Sequence, residues 1–430
     1  MTNNWLRRLF GFERAQRMRA VDPGLYHIMQ ENDGIFSRFH LRVEKDGSGM
    51  LIANAMAAAR LTASGVVIAK DLLEGIPEQE IIDHLRKHFS HADPDVIHRD
   101  VETVTELIDR LKAPGDAYPV LNLEDPSLSP HSSELISPLQ AAVPITGPEA
   151  LLPLLDRMWE VAIPHVTLLI PDAFEPLELI RSVEHAEDLG MITGVRGRAS
   201  SLWDEAFLTD LRMAGIDHIT FLYASADAEI HDALCGTGDH AAASDLLAWL
   251  QGHQISAVAE IPLIQATIDV LDDTVETLLA NGVDNLAFVA YATTDDDLAQ
   301  QEGIFDSDAM AQVATTVEET ANMAQALFIW DPPVERDPRM ALKDQILLGP
   351  RCSGDVAVRI EPTGEVIPPR GPYESAGNLI RDTWDHIWNH PVFRHYRERV
   401  ESPTRCEVCP ELAICAADCP RDRQGWAQSL

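Results

Sequence analysis

From Pro148 to Trp330 the chain alternates amphipathic helical stretches with short apolar runs, and that alternation leaves few folds open. The runs Val166–Ile170, Met191–Val195, His218–Tyr223, Ser256–Ile261, Asn285–Ala290 and Leu327–Trp330 read as buried strands. Helical stretches such as Leu151–Val161, Leu177–Leu189 and Ala241–Leu250 fall between them. Gly190, Gly215 and Gly282 each stand just before a strand, where a helix ends in the left-handed conformation that glycine tolerates. Strands separated by helices pair in parallel, because the chain must cross back over the sheet before the next strand begins. The expected class is α/β, as a partial barrel, a complete one or a doubly wound sheet. Six or seven units are too few for the eightfold barrel.

Upstream the pattern changes. Phe39-His40-Leu41-Arg42-Val43-Glu44 alternates, a turn follows at Asp46-Gly47-Ser48-Gly49, and Met50-Leu51-Ile52-Ala53 completes an expected β-hairpin. Three helices should follow. The first ends at Gly75, the second opens at Pro77, and the third carries Ile97, Val101, Val104, Ile108 and Leu111 on one face. This is the make-up of a small winged-helix-like module. Seven prolines between Ala113 and Glu149 mark a linker, with Leu139–Ile145 as its expected strand. Near the other end, Val356–Ile360 and Glu365–Ile367 flank the turn Pro362-Thr363-Gly364 as a second hairpin, and a short helix is expected around Trp384–Trp388.

Charge narrows the function. The net charge is −36, from 33 basic and 69 acidic side chains, and such a surface repels phosphate backbones. Nucleic acid is therefore not an expected partner. No run approaches the roughly 18 apolar residues of a membrane span. The segment Trp5-Leu6-Arg7-Arg8-Leu9-Phe10-Gly11-Phe12 lacks the apolar stretch and cleavage site of a secretory signal, so a cytoplasmic location is expected.

In a reducing compartment closely spaced cysteines point to a metal rather than to disulfides. Five of the six cysteines (Cys352, Cys406, Cys409, Cys415 and Cys419) fall in the last 79 residues, and the final four read Cys-x2-Cys-x5-Cys-x3-Cys. Thiolates select iron–sulfur clusters or zinc over hard cations. The sixth, Cys235, reads as an inert packing residue. His218, His231, His240 and His253 are not at metal-ligand spacing, and His231-Asp232 is expected to cap or hydrogen-bond locally. The run Asp295-Asp296-Asp297 reads as a solvated loop.

The cysteine-rich end resembles the SPASM domain of radical S-adenosylmethionine (SAM) enzymes. Cys352-Ser-Gly, Pro362-Thr-Gly364, Gly377-Asn378-Leu379, Ile387-Trp388, Phe393-x2-Tyr396-Arg397 and the Cys406/409/415/419 spacing all fall in register with it. The middle segment resembles the partial barrel of the same superfamily. There Val166–Asp172, Ala173-Phe174-Glu175-Pro176 stands in place of a strand and a Gly-Gly-Glu-Pro loop that contacts SAM, which makes Glu175 a remnant of that loop. Ala224–Asp232 is similar to the family's Ser-x-Asp-Gly…His-Asp segment. The hairpin module resembles a PqqD-type domain, with Leu61-Thr62-Ala63-Ser64-Gly65 in place of Leu-Asn-x-Thr-Gly. Such domains capture an extended leader peptide as an added strand.

The resemblance implies a partial (β/α)6 TIM-type barrel with an N-terminal winged-helix-like domain and a C-terminal SPASM-like cysteine-rich domain. The division it gives is an extension at 1–35, a PqqD-like domain at 36–112, a linker at 113–138, a degenerate barrel at 139–345 and a SPASM-like domain at 346–430.

Departures from the family matter as much. Pro369 stands where Gly364-x4 leads to a cysteine in the family, and no cysteine follows Cys419. Two auxiliary clusters need eight thiolates, whereas five are present. The expected cofactor is one [4Fe–4S] cluster on Cys406, Cys409 and Cys415, with Cys419, Cys352, Asp418 or Asp422 as its fourth ligand; zinc or an empty site is the alternative. The Cys-x3-Cys-x2-Cys of the SAM-cleaving cluster occurs nowhere, and the candidate first strand runs through Thr146-Gly147-Pro148 straight into a helix. SAM is thus not an expected cofactor, nor conventional radical chemistry an expected activity. The implied role is a peptide- or protein-binding maturation partner, beside an active radical SAM homologue. The alternatives are an iron–sulfur electron-transfer subunit or a radical SAM enzyme with an unconventional site.

Overall fold

The structure is a computed structural model that describes residues 21–32, 35–53, 57–88, 94–112, 135–145, 148–253, 255–283, 285–290, 303–305, 307–331, 340–347, 357–367 and 374–393. The chain divides into two compact units, one of residues 1–123 and 132–137, the other of residues 124–131 and 138–430.

The first unit is a four-stranded antiparallel sheet in the order β1 (Gly24–Asn32), β2 (Ile35–Val43), β3 (Gly49–Ala53), β4 (Ala57–Leu61). The expected hairpin is its central pair, β2 and β3, and a further strand flanks it on each side. Helices α1 (Ala63–Leu73), α2 (Glu78–His88) and α3 (Pro94–Lys112) follow. Thr62 caps α1 by accepting from Gly65 N, so the Leu61–Gly65 motif is the strand-to-helix corner. Phe39, Leu41 and Val43 alternate along β2 onto the core side, where Leu51, Val66, Ile68, Ile81 and Val101 enclose them.

The intervening residues of β2 are buried as well, and polar. His40 stacks on His27, with ring centres 5.0 Å apart. Arg42 pairs with Glu44 at 2.6 Å and donates to the Ser137 carbonyl, while Glu44 accepts from Ile136 N at 2.6 Å. A buried guanidinium survives because a carboxylate and a carbonyl replace the water it loses. The same contacts hold residues 136–137 to the end of β2.

The second unit is built on a nine-stranded sheet. Seven parallel strands run in chain order: β5 (Gln140–Pro144), β6 (His165–Leu169), β7 (Ile192–Arg198), β8 (His218–Leu222), β9 (Ser256–Leu263), β10 (Asn285–Ala290) and β11 (Leu327–Asp331). The crossovers include α4 (Pro148–Glu160), α5 (Pro176–Leu189), α6 (Ala199–Leu202), α7 (Glu205–Met213), α8 (Ala228–Cys235) and α9 (Asp239–His253). Further along come α10 (Leu271–Ala280), α11 (Ser307–Ala324) and α12 (Leu342–Leu347). Gly190, Gly215 and Gly282 all have positive φ (85°, 96° and 79°).

Among the described residues the sheet is not closed: β11 is one edge, and at the other β5 is extended by the second hairpin, β12 (Ala357–Ile360) and β13 (Val366–Ile367). β12 pairs in parallel with β5, Ala357 opposite Gln140 and Arg359 opposite Ala142. Sequence patterns find this hairpin but not its union with the sheet, because nothing local marks a pairing between such distant segments.

At the amino ends of the strands lies a buried histidine pair. His165 opens β6 and His218 opens β8, with β7 between them; their Nε2 atoms are 2.8 Å apart. The His218 ring crosses β7 over Gly194, where an added Cβ would lie 1.9 Å from its Cε1. Burial pushes both pKa values down: His165 falls well below the usual value, with His218 adding to the effect, and His218 falls to about 3. Each ring is therefore neutral, and one donates to the other.

Because an unfolded histidine titrates near 6.5, the unfolded chain binds more protons than the native one below that pH. The stability this pair contributes should be full above about 6.5 and decline as pH falls from there towards 3. We expect the unfolding midpoint to drop between pH 7.5 and 5, and His218→Phe to flatten that drop. A Gly194→Ala substitution forces a methyl into the ring and should cost about 1–3 kcal/mol, read as a lower thermal midpoint. Gly252→Ala, with open space around it, should cause no loss.

Candidate functional site

The loops that follow the parallel strands gather at one end of the sheet, opposite the His165–His218 pair. At that end β7 finishes in Arg196-Gly197-Arg198, and the two arginines, two residues apart, share a face. Arg196 reaches across β8 to Glu260 of β9 at 2.9 Å. Arg198 pairs with Asp172, in the loop after β6, and donates through Nη1 to the Cys235 carbonyl at 2.8 Å. One side chain thus ties the loop after β6 to the end of α8.

The segment after β8 shows why the chain turns as it does. Asp227 caps α8, accepting from Glu229 N at 2.8 Å and Ile230 N at 3.2 Å, and its own N donates to Ser225 Oγ. The helix is short and ends at Cys235; Gly236 and Gly238, at φ 108° and 86°, make the reversal into α9. Asp232 fixes that reversal by accepting from Gly238 N (2.7 Å) and His240 N (2.8 Å), and these bonds lower its pKa. The expected local role of His231-Asp232 is observed for Asp232.

His231 does something else. It is fully buried, and its Nε2 lies 3.0 Å from Asp239 Oδ2, at the start of α9. Asp239 Oδ1 accepts from Ser200 N of α6 at 2.7 Å. Burial pulls the His231 pKa down, but hydrogen bonds to Asp239 and Cys235 outweigh it and push the value up to about 9. The rings of Tyr223 and His240 stand edge-on to it at 5.3 and 5.4 Å, and His240 Nε2 is held by the Ala226 carbonyl at 2.9 Å.

Sequence reasoning missed this cluster. Cys235 is buried, as expected of a packing residue, yet it stands one helical turn from His231 and beside Asp239. The signal available was the i, i+4 spacing of His231 and Cys235; the third member lies beyond a glycine turn that no helical pattern predicts. His218 and His253 do not join: the former is in the pair at the opposite end, the latter stacks on Trp249 at 4.1 Å.

Glu175 is exposed at the cap position of α5, and its side chain makes no capping bond. It lies at the same end of the sheet as the cluster, three residues after Asp172. Cys352, Cys406, Cys409, Cys415 and Cys419 lie outside the described residues, as does Asp295-Asp296-Asp297.

The described part of the SPASM-like region is held by the motif residues that mark it. Asn378 donates through Nδ2 to the Thr363 carbonyl (2.7 Å) and to Glu365, clamping the hairpin turn at Gly364, whose φ is 88°. Leu379, Ile387, Trp388 and Phe393 fill the core beneath, the middle two on α13 (Trp384–Trp388).

An open parallel sheet with charged and nucleophilic side chains gathered at its carboxyl ends defines a TIM-like α/β class, in which ligands bind at that end. Residues 352–416 match the SPASM family, described as an iron-sulfur cluster-binding domain. The structure is similar to Streptococcus suis SuiB bound to S-adenosylmethionine, at a TM-score of 0.58 and 12% identity over 92% of this chain and 95% of that one. It is likewise similar to Streptococcus suis SuiB bound to the precursor peptide SuiA, at a TM-score of 0.57 and 13% identity over 94% of this chain and 99% of that one. The chain thus shares the fold of the SuiB structures over nearly its whole length, and its residues 352–416 belong to the SPASM iron-sulfur cluster-binding domain family.

Arg198 joins two loops at the site, so its removal should loosen both. We expect Arg198→Met to speed amide hydrogen exchange about tenfold in residues 171–175 and 235–240, since a charged hydrogen bond of this kind is worth roughly 1.5 kcal/mol or more. Exchange at the opposite end, in residues 163–166 and 216–219, should stay unchanged; a uniform rise would assign Arg198 to global stability instead.

Proposed function

We propose that this protein binds a peptide or protein partner within a peptide- or protein-maturation system, beside an active radical SAM homologue, and does not itself cleave SAM. One [4Fe–4S] cluster on Cys406, Cys409 and Cys415, completed by a fourth ligand, would sit in the C-terminal domain. The thiolate set suits such a cluster, which would supply structural cross-linking or electron storage there. The location is the cytoplasm; among the described residues no helix is long and apolar enough to cross a membrane.

The observation that carries the reading is the connection after β5. That strand ends at Pro144 and α4 begins at Pro148. The intervening Ile145-Thr146-Gly147 offers no thiolate, at the place where the family carries three. The replacement of both glycines before Glu175-Pro176 supports the same reading, since it removes close backbone approach to a ligand. Glu175 itself remains, exposed and without a capping bond.

Support for a binding role comes from the first unit. Among the described residues its sheet has two edge strands, β1 and β4, each paired on one side only, and an edge strand is where an extended peptide adds. The similar SuiB structure holds a precursor peptide. The surface charge favours a partner segment that is neutral or basic.

Anaerobic purification followed by iron and sulfide analysis, electron paramagnetic resonance and a SAM-cleavage assay tests this reading. We expect about four irons per chain, lost on Cys406→Ser and Cys409→Ser, and no 5′-deoxyadenosine when SAM and a strong reductant are added. Reductive cleavage of SAM would overturn the reading.

A further inference from the structure

The buried cluster on α8 and α9 lies outside the reading above, and its donor set is one that binds metal. We propose that His231, Cys235 and Asp239 form a mononuclear zinc site, separate from the cysteines of the C-terminal end. One ligand atom from each residue, an imidazole nitrogen, the thiol sulfur and a carboxylate oxygen, lies within 4.8 Å of the other two, and all three residues are buried.

Distance, charge and chemistry agree. His231 Nε2 and Asp239 Oδ2 are 3.0 Å apart. Two atoms bound to one zinc at about 2.0–2.1 Å in tetrahedral geometry stand roughly 3.3 Å apart, so a shift of a few tenths of an ångström converts the hydrogen bond into a pair of ligands. A thiolate and a carboxylate carry two negative charges that one divalent cation neutralises, which matters where no water can do so. Imidazole and thiolate together favour zinc over magnesium or calcium.

The imidazole ligand is Nε2, the nitrogen that already faces Asp239 at 3.0 Å; Nδ1 is turned away from that carboxylate and is buried without a hydrogen-bond partner.

The scaffold holds the donors where a metal needs them. His231 and Cys235 are one turn apart on α8, Asp227 caps that helix, Arg198 grips its last carbonyl, and Ser200 N fixes the free oxygen of Asp239. Three protein donors leave the fourth position of a tetrahedral zinc to one further ligand.

The test must separate this site from the other cysteines. In a full-length chain with Cys352, Cys406, Cys409, Cys415 and Cys419 all changed to serine, Cys235 is the last thiol. Stripped with chelator and reloaded with zinc, that protein should retain one zinc per chain. Reloaded with cobalt(II), it should show a thiolate-to-cobalt charge-transfer band. Adding Cys235→Ser or His231→Gln should weaken zinc binding at least a hundredfold and, for Cys235→Ser, abolish the band. The cobalt spectrum requires no change at the site itself, so it decides the matter even if those further variants misfold. Absence of zinc retention, or a cobalt spectrum without thiolate character, would refute the site.

Discussion

A parallel strand cannot be followed by a tight turn; the chain must climb back across the sheet before the next strand starts. From this one constraint most of the second unit follows. Every strand from β5 to β11 has its return path on a face of the sheet, so the strands are buried and read as apolar runs. Every loop that leaves a strand leaves from the same end. Residues far apart in the chain, Asp172, Arg198, Cys235 and Glu260, meet there because the topology delivers them to one place, not because a motif links them.

The two ends of the sheet illustrate different uses of buried histidine. At the amino ends His165 and His218 are neutral and share one proton between facing nitrogens, with a glycine on the intervening strand making room. At the carboxyl ends His231 faces a carboxylate and is biased towards the charged form. The first arrangement serves packing. The second concentrates charge and a thiol in a dry site, an expense that folds rarely accept without chemistry to show for it.

How much of this the sequence discloses depends on whether the signal is local. The strands of the parallel sheet lie close to where the apolar runs put them, because burial on both faces and a glycine at the preceding helix end are each visible within a dozen residues. In the first unit the central hairpin is legible from its alternation. β1 is not, since Gln30-Glu31-Asn32 breaks the pattern, and β4 is not, since Ala57-Ala58-Ala59 carries the helix propensity of alanine. The pairing of β12 with β5 and the meeting of His231 with Asp239 are tertiary facts. Neither leaves a mark on its neighbours in sequence. The resemblance to the SPASM domain reaches further than periodicity, but the residues it explains best within the structure, Gly364, Asn378 and Leu379, shape the hairpin.

The union of β12 with β5 has a consequence for the edge of the sheet. Because Ala357–Arg359 supplies the hydrogen-bonding partner of Gln140–Ala142, the second hairpin covers the edge that β5 would otherwise expose. If it were cut away, β5 would become an open edge, inviting association with other chains. The hairpin therefore has a second duty, set by backbone pairing alone and independent of any ligand the cysteines hold.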